Sequence, residues 1–450
     1  MDMEKKQVLV FGTGVSGIGA ADLLLEKGAE VLLYDGNDKQ DPEQILAKLR
    51  KREGARVILG ALPEDALENL DLAILSPGVP TDLPDVLRIK EKVPVWGEVE
   101  LAWQTGQGTV LAITGTNGKT TTTALLGQIM ADARDSVYVV GNIGTPYTSV
   151  ALETGPDTVT VAEISSFQLE TIHTFHPRVS AILNITEDHL NRHHTMAEYI
   201  RVKEQICRNQ TKEDTVVLNY EDEVLREFGK TAPASVIYFS SKRELPEGIF
   251  LRGETIVLSV DGREIPILGT DEMHLLGRHN HENVMAAVAM AWRSGVPVDS
   301  IRNSVRNFHA VEHRIEYVTE KNGVTYYNDS KGTNPDAAIK GIRAMNRPTW
   351  LIGGGYDKDS SYEEWIRAFD GKVRGLVLIG QTKEKIAEAA HGCGFMNTIL
   401  ADDLEEAVQI CAEHALVGEA VLLSPACASW GQFPNYEVRG KKFKEYVGRL

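Results

Sequence analysis

Thr109-Val110-Leu111-Ala112-Ile113-Thr114-Gly115-Thr116-Asn117-Gly118-Lys119-Thr120-Thr121 runs from an apolar strand through a glycine-rich turn toward a helix expected over Ala124 to Met130. A strand, a Gly-Lys-Thr-Thr turn and a helix in that order bring backbone amides, one ammonium and a hydroxyl to the place where nucleotide phosphates and a magnesium ion sit. The stretch departs from the strict G-x-x-x-x-G-K-[ST] pattern because Ile113 stands where the first glycine belongs. That departure marks a sub-family of ATP loops, and the chain is read as α/β around it.

Upstream lies a second loop of related type. Val8 to Phe11 is an apolar run, Gly12-Thr13-Gly14-Val15-Ser16-Gly17 matches G-x-G-x-x-G, Ala20 to Leu25 has helical spacing, and Glu30 to Tyr34 is a strand ending at Asp35. This β-α-β unit reads as a dinucleotide fingerprint, yet glycines at a helix N-terminus hold any nucleoside diphosphate equally well. Arg56 to Leu59 and Leu72 to Leu75 are further strands, and Ser76-Pro77-Gly78-Val79-Pro80 stops the last of them, so a small parallel sheet ends near Trp96. Two nucleotide loops in one chain leave two options: NAD(P) in one domain and ATP in another, or a nucleotide-linked substrate joined to something at the expense of ATP.

Downstream, strands are expected at Thr158 to Ala162, Val179 to Leu183, Thr215 to Leu218 and Val236 to Phe239. Antiparallel hairpins follow over Gly248 to Leu268, with a buried Ala/Met-rich helix over Asn283 to Trp292. After Phe308-His309-Ala310, segments at Tyr317-Val318, Val324 to Tyr327, Trp350 to Ile352, Leu376 to Ile379 and Ala420 to Leu423 read as a third parallel sheet. The expected architecture is three α/β domains: a Rossmann-like domain over 1–97, a central P-loop ATPase-type domain over 98–310 and a C-terminal Rossmann-like domain over 311–450.

Composition narrows the function. At 450 residues the chain is long enough for two or three cores, and no apolar stretch reaches the ~20 residues that span a bilayer. A net charge of −17 is the wrong sign for a nucleic-acid binder. Cys207, Cys393, Cys411 and Cys427 show neither metal nor redox spacing, so buried reduced thiols are expected. The charged start, Met1 to Gln7, has no export-type apolar region, which points to the cytoplasm.

Other residues carry chemistry with alternatives open. Glu163 ends a strand and suits Mg²⁺ beside a γ-phosphate; a surface acid, with Ser165 capping the next helix, is the plain alternative. His189, in Asn184-Ile185-Thr186-Glu187-Asp188-His189-Leu190, follows another strand and could bind metal, stabilise charge or act as a base, or simply pack. Lys203, within Glu198 to Cys207, reads as a solvated lysine. Asn280 and Asn283 lie one helical turn apart and could share adenine's edge, unless Asn280 only caps the helix. Arg314, Asp329 and Lys331 supply charge and ribose acceptors at a strand end. Gly353-Gly354-Gly355-Tyr356-Asp357-Lys358 and Ser424-Pro425-Ala426-Cys427-Ala428-Ser429-Trp430 close two further strands.

Taken in order, the Gly115–Thr121 loop, Glu163 with Ser165-Ser166-Phe167-Gln168-Leu169-Glu170, Thr186-Glu187-Asp188-His189, His279-Asn280 with Asn283, His313-Arg314, Asp329-Ser330-Lys331 and Ser424 to Ser429 resemble the ATP-dependent Mur ligases over essentially the whole chain. Gly12 to Gly17, Gly354-Gly355-Tyr356-Asp357-Lys358, and Gln432-Phe433 with Arg439-Gly440-Lys441-Lys442-Phe443 are most similar to the members that add D-glutamate to UDP-N-acetylmuramoyl-L-alanine, and the Asp-Asn-Pro-Arg motif of the diaminopimelate- or lysine-adding members is absent.

The resemblance implies UDP rather than NAD at the first loop, with Gly14, Val15, Ser16, Asp35, Gly36, Ser76, Gly78, Asn142 and Ser165 on the UDP-linked substrate. It implies ATP at Gly115, Thr116, Asn117, Gly118, Lys119, Thr120 and Thr121, and at Asn280, Asn283, Arg314, Asp329 and Lys331. D-glutamate falls to Lys331, Thr333, Lys358, Ser429, Trp430 and Tyr436. Two Mg²⁺ ions fall to Thr120, Glu163, His189 and a carbamylated Lys203, and catalysis to Lys119, His189, Lys203 and Arg314. The expected partners are the two small substrates, with no nucleic acid and no membrane integration, and the expected state is a cytoplasmic monomer. Trp430-Gly431 stands where the family more often has a smaller apolar residue and an acid, and Asn191 where an aspartate is common. The rival readings are another Mur-type or folylpolyglutamate-type ligase, an ATP-driven switch without ligation, and an NAD-dependent oxidoreductase.

Overall fold

A computed structural model describes residues 2–309, 312–358 and 360–450. Among these residues the strands form three sheets of five, nine and six strands. The expected boundary at 310/311 lies outside the described residues. By contact density the chain divides into two compact units, one of 1–269 with 282–305 and the other of 270–281 with 306–450.

The first sheet contains β1 (Gln7–Phe11), β2 (Glu30–Asp35), β3 (Ala55–Leu59), β4 (Leu72–Leu75) and β5 (Val95–Gly97), in the order β3-β2-β1-β4-β5 and all parallel. Strand order reverses at β1, so the Gly12–Gly17 loop leaves the sheet at the crevice where open α/β sheets take ligands. The loop feeds the helix Val15–Glu26, whose small residues Gly17, Gly19, Ala20 and Ala21 are all buried.

The second sheet contains β6 (Thr109–Thr114), β7 (Val137–Gly141), β8 (Val159–Glu163), β9 (Val179–Ile182), β10 (Thr215–Asn219), β11 (Ser235–Ser240), β12 (Gly248–Arg252), β13 (Thr255–Val260) and β14 (Arg263–Gly269). Its order, β14-β13-β12-β11-β10-β9-β6-β8-β7, makes β6 the switch point, and the Gly115–Gly118 turn opens there. β12, β13 and β14 are the antiparallel edge expected from the hairpin signals; Asp261 and Gly262 turn with φ of 51° and 68°, as a two-residue hairpin turn requires.

The third sheet contains β15 (Glu316–Lys321), β16 (Val324–Asn328), β17 (Thr349–Gly354), β18 (Val373–Ile379), β19 (Thr398–Leu400) and β20 (Ala420–Leu423), in the order β15-β16-β20-β17-β18-β19. It departs from the expected parallel sheet at one edge: β15 pairs antiparallel with β16 through Asn322-Gly323, both at positive φ. β16, β20 and β17 are adjacent and parallel, so Asp329, Ser424 and the Gly353–Gly355 turn emerge at one rim. Among the described residues no helix is long and apolar enough to cross a membrane. The cysteines are all free; Cys207, Cys411 and Cys427 are buried as expected, whereas Cys393 is only half-buried near a helix end.

Candidate functional site

In the larger unit the turn after β6 is wound tightly. Gly115 and Gly118 take φ of 151° and 86°, and a Cβ on Gly118 would stand 2.2 Å from Asn283 Oδ1, so only glycine fits. Gly118 caps the helix Lys119–Ala133 in a left-handed conformation. The loop of Asn184 to Thr186 clasps this turn from the side. Thr116 N donates to Asn184 O (2.9 Å), Asn117 N to Asn184 Oδ1 (2.8 Å), and Thr186 N to Thr116 Oγ1 (3.0 Å). Lys119 Nζ folds back onto the carbonyls of Gly115 (2.9 Å) and Thr116 (3.0 Å). An ammonium held by loop carbonyls is poised at the anion-binding end of the helix.

Lys203 corrects the sequence reading. The helix Met196–Glu204 turns Tyr199, Val202 and Lys203 inward, and Lys203 is 1% exposed rather than solvated. Its Nζ donates to the same Gly115 carbonyl (2.9 Å) and lies 4.7 Å from the centre of the Tyr199 ring. Burial, and then the charge of Lys119, push its pKa down to about 7 against the pull of Asp188. An amine that is partly neutral near neutral pH can add to carbon dioxide, which an ordinary lysine does poorly.

Glu163 ends β8 and is 1% exposed, so the surface-acid alternative falls. Asn142 Nδ2 donates to Glu163 Oε1 (2.8 Å), while Oε2 is buried without a hydrogen-bond partner. A buried carboxylate oxygen lacking a donor fits a cation ligand. Among the described residues no three His, Cys, Asp or Glu side chains converge as a metal group, so a cation at Glu163 would need hydroxyl, carbamate or phosphate oxygens to complete its shell. Ser165 does cap the following short helix, in a full capping box with Gln168. Gln168 is in turn oriented by Glu98, which accepts from Nε2 (2.8 Å) and whose pKa burial raises to about 6.

His189 sits in a left-handed conformation (φ 53°) with its side chain half exposed, 3.4 Å from Asp188 and with its ring centre 4.9 Å from that of Phe167. At the first loop, Thr13 Oγ1 and N donate to Asp35 Oδ2 (2.7 and 3.2 Å), and Asn37 N donates to Oδ1 (3.0 Å). Burial pushes the Asp35 pKa up, but these hydrogen bonds outweigh it and hold the carboxylate below its ordinary value. Ser76 Oγ reaches Gly12 O (3.3 Å), closing the loop's base, while nothing crowds Gly14 or Gly78 and Val15 stands 72% exposed. Asn142 and Gly36 are exposed and Ser16 and Ser165 half-buried.

The smaller unit carries a separate cluster. Asp329 is buried at the end of β16, and Ser424 Oγ donates to its Oδ2 (2.7 Å). Burial pushes its pKa up to about 7, with Ser424 and the charge of Arg314 pulling the other way. Arg314 Nε is buried without a hydrogen-bond partner. Lys331 Nζ lies 5.4 Å from the centre of the Tyr436 ring, and Lys358 Nζ lies 4.7 Å from that of Trp430. Ser429 is buried and Thr333 half-buried on the flanking turns. Asn280 does not cap its helix: it lies inside Arg278–Arg293, and its Nδ2 donates to Leu276 O (2.7 Å). Asn283 is on the next turn of that helix.

Sequence reasoning missed two supports of these sites, Tyr199 and Glu98, and quoted two others, Asn184 and Arg439, within motifs without giving them a role. Tyr199 OH is 3.1 Å from Thr116 Oγ1, and its place four residues before Lys203 is a helical-pair signal that was available. Arg439 is 1% exposed and donates to Ser330 Oγ (3.0 Å), Ser330 O (2.8 Å) and Cys427 O (3.1 Å), tying the Asp329 turn to the Ser424–Ser429 turn. No local pattern announces an arginine that folds inward.

Comparison with known proteins adds independent findings. Residues 6–97 match the family model described as the Mur ligase MurD-like N-terminal domain, 113–291 the Mur ligase middle domain, and 313–427 the Mur ligase glutamate ligase domain. The UDP-N-acetylmuramoylalanine–D-glutamate ligase of Lachnoclostridium phytofermentans is 57% identical over 451 residues, covering 100% of this chain and 99% of that protein. The enzyme of the same name from Clostridioides difficile is 44% identical over 452 residues, covering 100% of both. In fold the chain is similar to the UDP-N-acetylmuramate-alanine ligase MurC of Thermotoga maritima, with a TM-score of 0.60 at 20% identity over 99% of each chain. It is also similar to the MurF ligase of Thermotoga maritima in complex with ADP, with a TM-score of 0.58 at 16% identity over 100% of this chain and 96% of that one.

Proposed function

Since the chain belongs to the Mur ligase family, with full-length relatives named as D-glutamate ligases, we propose that it is an ATP-dependent amide ligase joining D-glutamate to UDP-N-acetylmuramoyl-L-alanine, with release of ADP and phosphate, in peptidoglycan precursor synthesis. The observation that carries the chemistry is the meeting of Lys119 and Lys203 on one carbonyl of the Gly115 turn, at the switch point of the central sheet. A turn that served packing alone has no use for two converging ammonium groups, one of them buried. The domain reading stays 1–97 for the UDP-linked substrate, 98–310 for ATP and 311–450 for the amino acid, supported by one sheet in each stretch.

A carboxylate is a poor acyl donor because oxide is a prohibitive leaving group. The substrate carboxylate therefore attacks the γ-phosphorus of ATP, its oxygen forming the new P–O bond as the bond to ADP breaks, which gives an acyl phosphate. The D-glutamate amine then attacks the acyl carbon and phosphate leaves. In the first step two anions meet; Lys119 and Arg314 offset that repulsion, and the Gly115–Thr121 amides orient the phosphates. Thr120, Glu163, His189 and a carbamylated Lys203 are the residues that would hold Mg²⁺, two ions in this reading, which when bound neutralises developing phosphate charge. Lys203 reaches its carbamate when the ammonium loses one proton, Nζ adds to carbon dioxide and a second proton leaves the nitrogen; its lowered pKa favours the first of these losses.

In the second step the attacking amine must shed a proton, and His189 or the departing phosphate takes it. Asn280, Asn283, Asp329 and Lys331 serve adenosine and phosphates; Gly14, Val15, Ser16, Asp35, Gly36, Ser76, Gly78, Asn142 and Ser165 serve the UDP-linked substrate; Lys331, Thr333, Lys358, Ser429, Trp430 and Tyr436 serve D-glutamate. We take the enzyme to work as a cytoplasmic monomer. Phosphate release and product mass measured over a panel of UDP-linked acceptors and amino acids test the whole reading. Turnover only with UDP-N-acetylmuramoyl-L-alanine plus D-glutamate is the expected result, and equal turnover with L-amino acids or with folate acceptors would move the chain to a sibling activity.

A further inference from the structure

Lys358 has an unusual partner. Its Nζ lies 4.7 Å from the centre of the Trp430 ring, and the edge of Tyr356 closes on the same indole, with ring centres 5.6 Å apart at 64°. Tyr356 is fixed by a backbone bridge to Ala428, with its N–H donating to Ala428 O (2.9 Å). The carboxylate next in sequence, Asp357, is engaged by Lys385 at 3.0 Å. Among the described residues no carboxylate pairs with Lys358.

The nature of the partner matters. A carboxylate would fix a lysine and also cancel its charge, so that an anionic ligand had to compete for it. An aromatic face attracts the ammonium through its quadrupole and leaves the net charge intact. It also narrows the rotamers of a long, flexible side chain before any ligand arrives. Lys331 also lies near a ring, 5.4 Å from the centre of Tyr436, and both rings come from the single segment 430–436. D-glutamate is a dianion at its carboxylates, so an ammonium that keeps its charge suits it.

We propose that Trp430 is a positioning residue for Lys358: its indole face holds the ammonium in place, still charged, to receive a carboxylate of the incoming amino acid. This rests on the reading of the smaller unit's cluster as the D-glutamate site.

Two measurements on wild type, Trp430→Leu and Trp430→Phe test it. In steady-state kinetics, Trp430→Leu should raise KM for D-glutamate about two- to fivefold, the size of an exposed cation–π contact, with KM for ATP unmoved, and Trp430→Phe should restore most of the difference. In partial acetylation read by peptide mass spectrometry, Lys358 should react at least about twofold faster in Trp430→Leu than in wild type, with exposed Lys230 as the internal reference and phenylalanine again intermediate. If Leu and Phe raise KM equally, or if the residue at 430 leaves Lys358 acetylation unchanged, the proposal is overturned. A wild-type protein that never incorporates D-glutamate overturns the functional reading instead, and the acetylation series then decides alone whether Trp430 holds Lys358.

Discussion

Asp329→Asn should make the smaller unit more stable relative to wild type as pH rises. The wild-type carboxyl is 5% exposed, and burial lifts its pKa from 3.8 to about 7 even though Ser424, Arg314 and Arg439 favour the charged form. At about 1.4 kcal/mol per pKa unit, that shift corresponds to roughly 4 kcal/mol between the two protonation states. The sign follows from proton counting. Between pH 4 and 7 the folded carboxyl keeps a proton that the unfolded chain has lost, so the stability this group contributes is full below pH 4 and is gone once pH passes 7. Asparagine has the same shape, accepts from Ser424 Oγ through its own oxygen, and does not titrate. From pH 5.5 to 8.5 wild type should therefore lose about 2 kcal/mol that the variant keeps; the counter-charge that asparagine removes from Arg314 and Arg439 offsets the variant equally at both pH values and leaves this difference unchanged. Guanidinium unfolding at the two pH values, read by hydrogen exchange of the Tyr326 and Tyr327 amides on β16, measures it. A difference between variant and wild type that stays flat or shrinks as pH rises would refute the argument. The same substitution should weaken ATP binding.

Lys119→Ala should lower ATP-dependent phosphate release at least about a hundredfold with the circular-dichroism spectrum intact, because it removes the cation from the phosphate turn without touching the core. Gly118→Ala places a Cβ 2.2 Å from Asn283 Oδ1 at φ 86°; nucleotide affinity by calorimetry should fall about tenfold or more, and retained affinity would show that the turn is laxer than drawn. Glu163→Gln keeps the bond from Asn142 but removes the charge of the unpartnered oxygen; half-saturation by Mg²⁺ in the ligation assay should rise about tenfold, and an unmoved value would take Glu163 off the metal. Arg439→Met should destabilise the smaller unit by about 3 kcal/mol, visible as a lower guanidinium midpoint, since it leaves Ser330 and Cys427 carbonyls without donors in a buried place.

The fold was legible wherever local chemistry and tertiary need coincided. Parallel strands buried on both faces are continuous apolar runs, and β1, β4, β6 and β20 are recognisable for that reason alone. The Asp261-Gly262 turn marked its hairpin. Asn322-Gly323 carries the same signal and went unread, which is why β15 was taken as parallel; the strand itself, Glu-Tyr-Val-Thr-Glu-Lys, alternates as a half-exposed antiparallel edge should. β7 was not anticipated although Val-Tyr-Val-Val-Gly is as long as β1 and nearly as apolar; in the structure it is the edge strand of its sheet, with only Val140 and Gly141 buried.

The site divides along a different line. Glycines at forced positive φ, a lysine at a helix start and an acid at a strand end are properties of one or two neighbouring residues, so Gly118, Lys119 and Glu163 could be picked out in sequence. Lys203 could not, because what matters about it is the absence of water around Nζ, and that is set by Tyr199, Gly115 and Lys119, residues up to 88 positions away. The composition of its own helix argues for solvent, and burial overrules it. Asp329 and Arg439 follow the same rule: each is polar by type and buried by virtue of turns that meet only when β16, β20 and β17 pair. Lys203, Asp329 and Arg439 thus owe their displaced ionisation to surroundings assembled from segments distant in sequence, and it is resemblance across the whole chain, rather than any local pattern, through which such positions become readable before a structure exists.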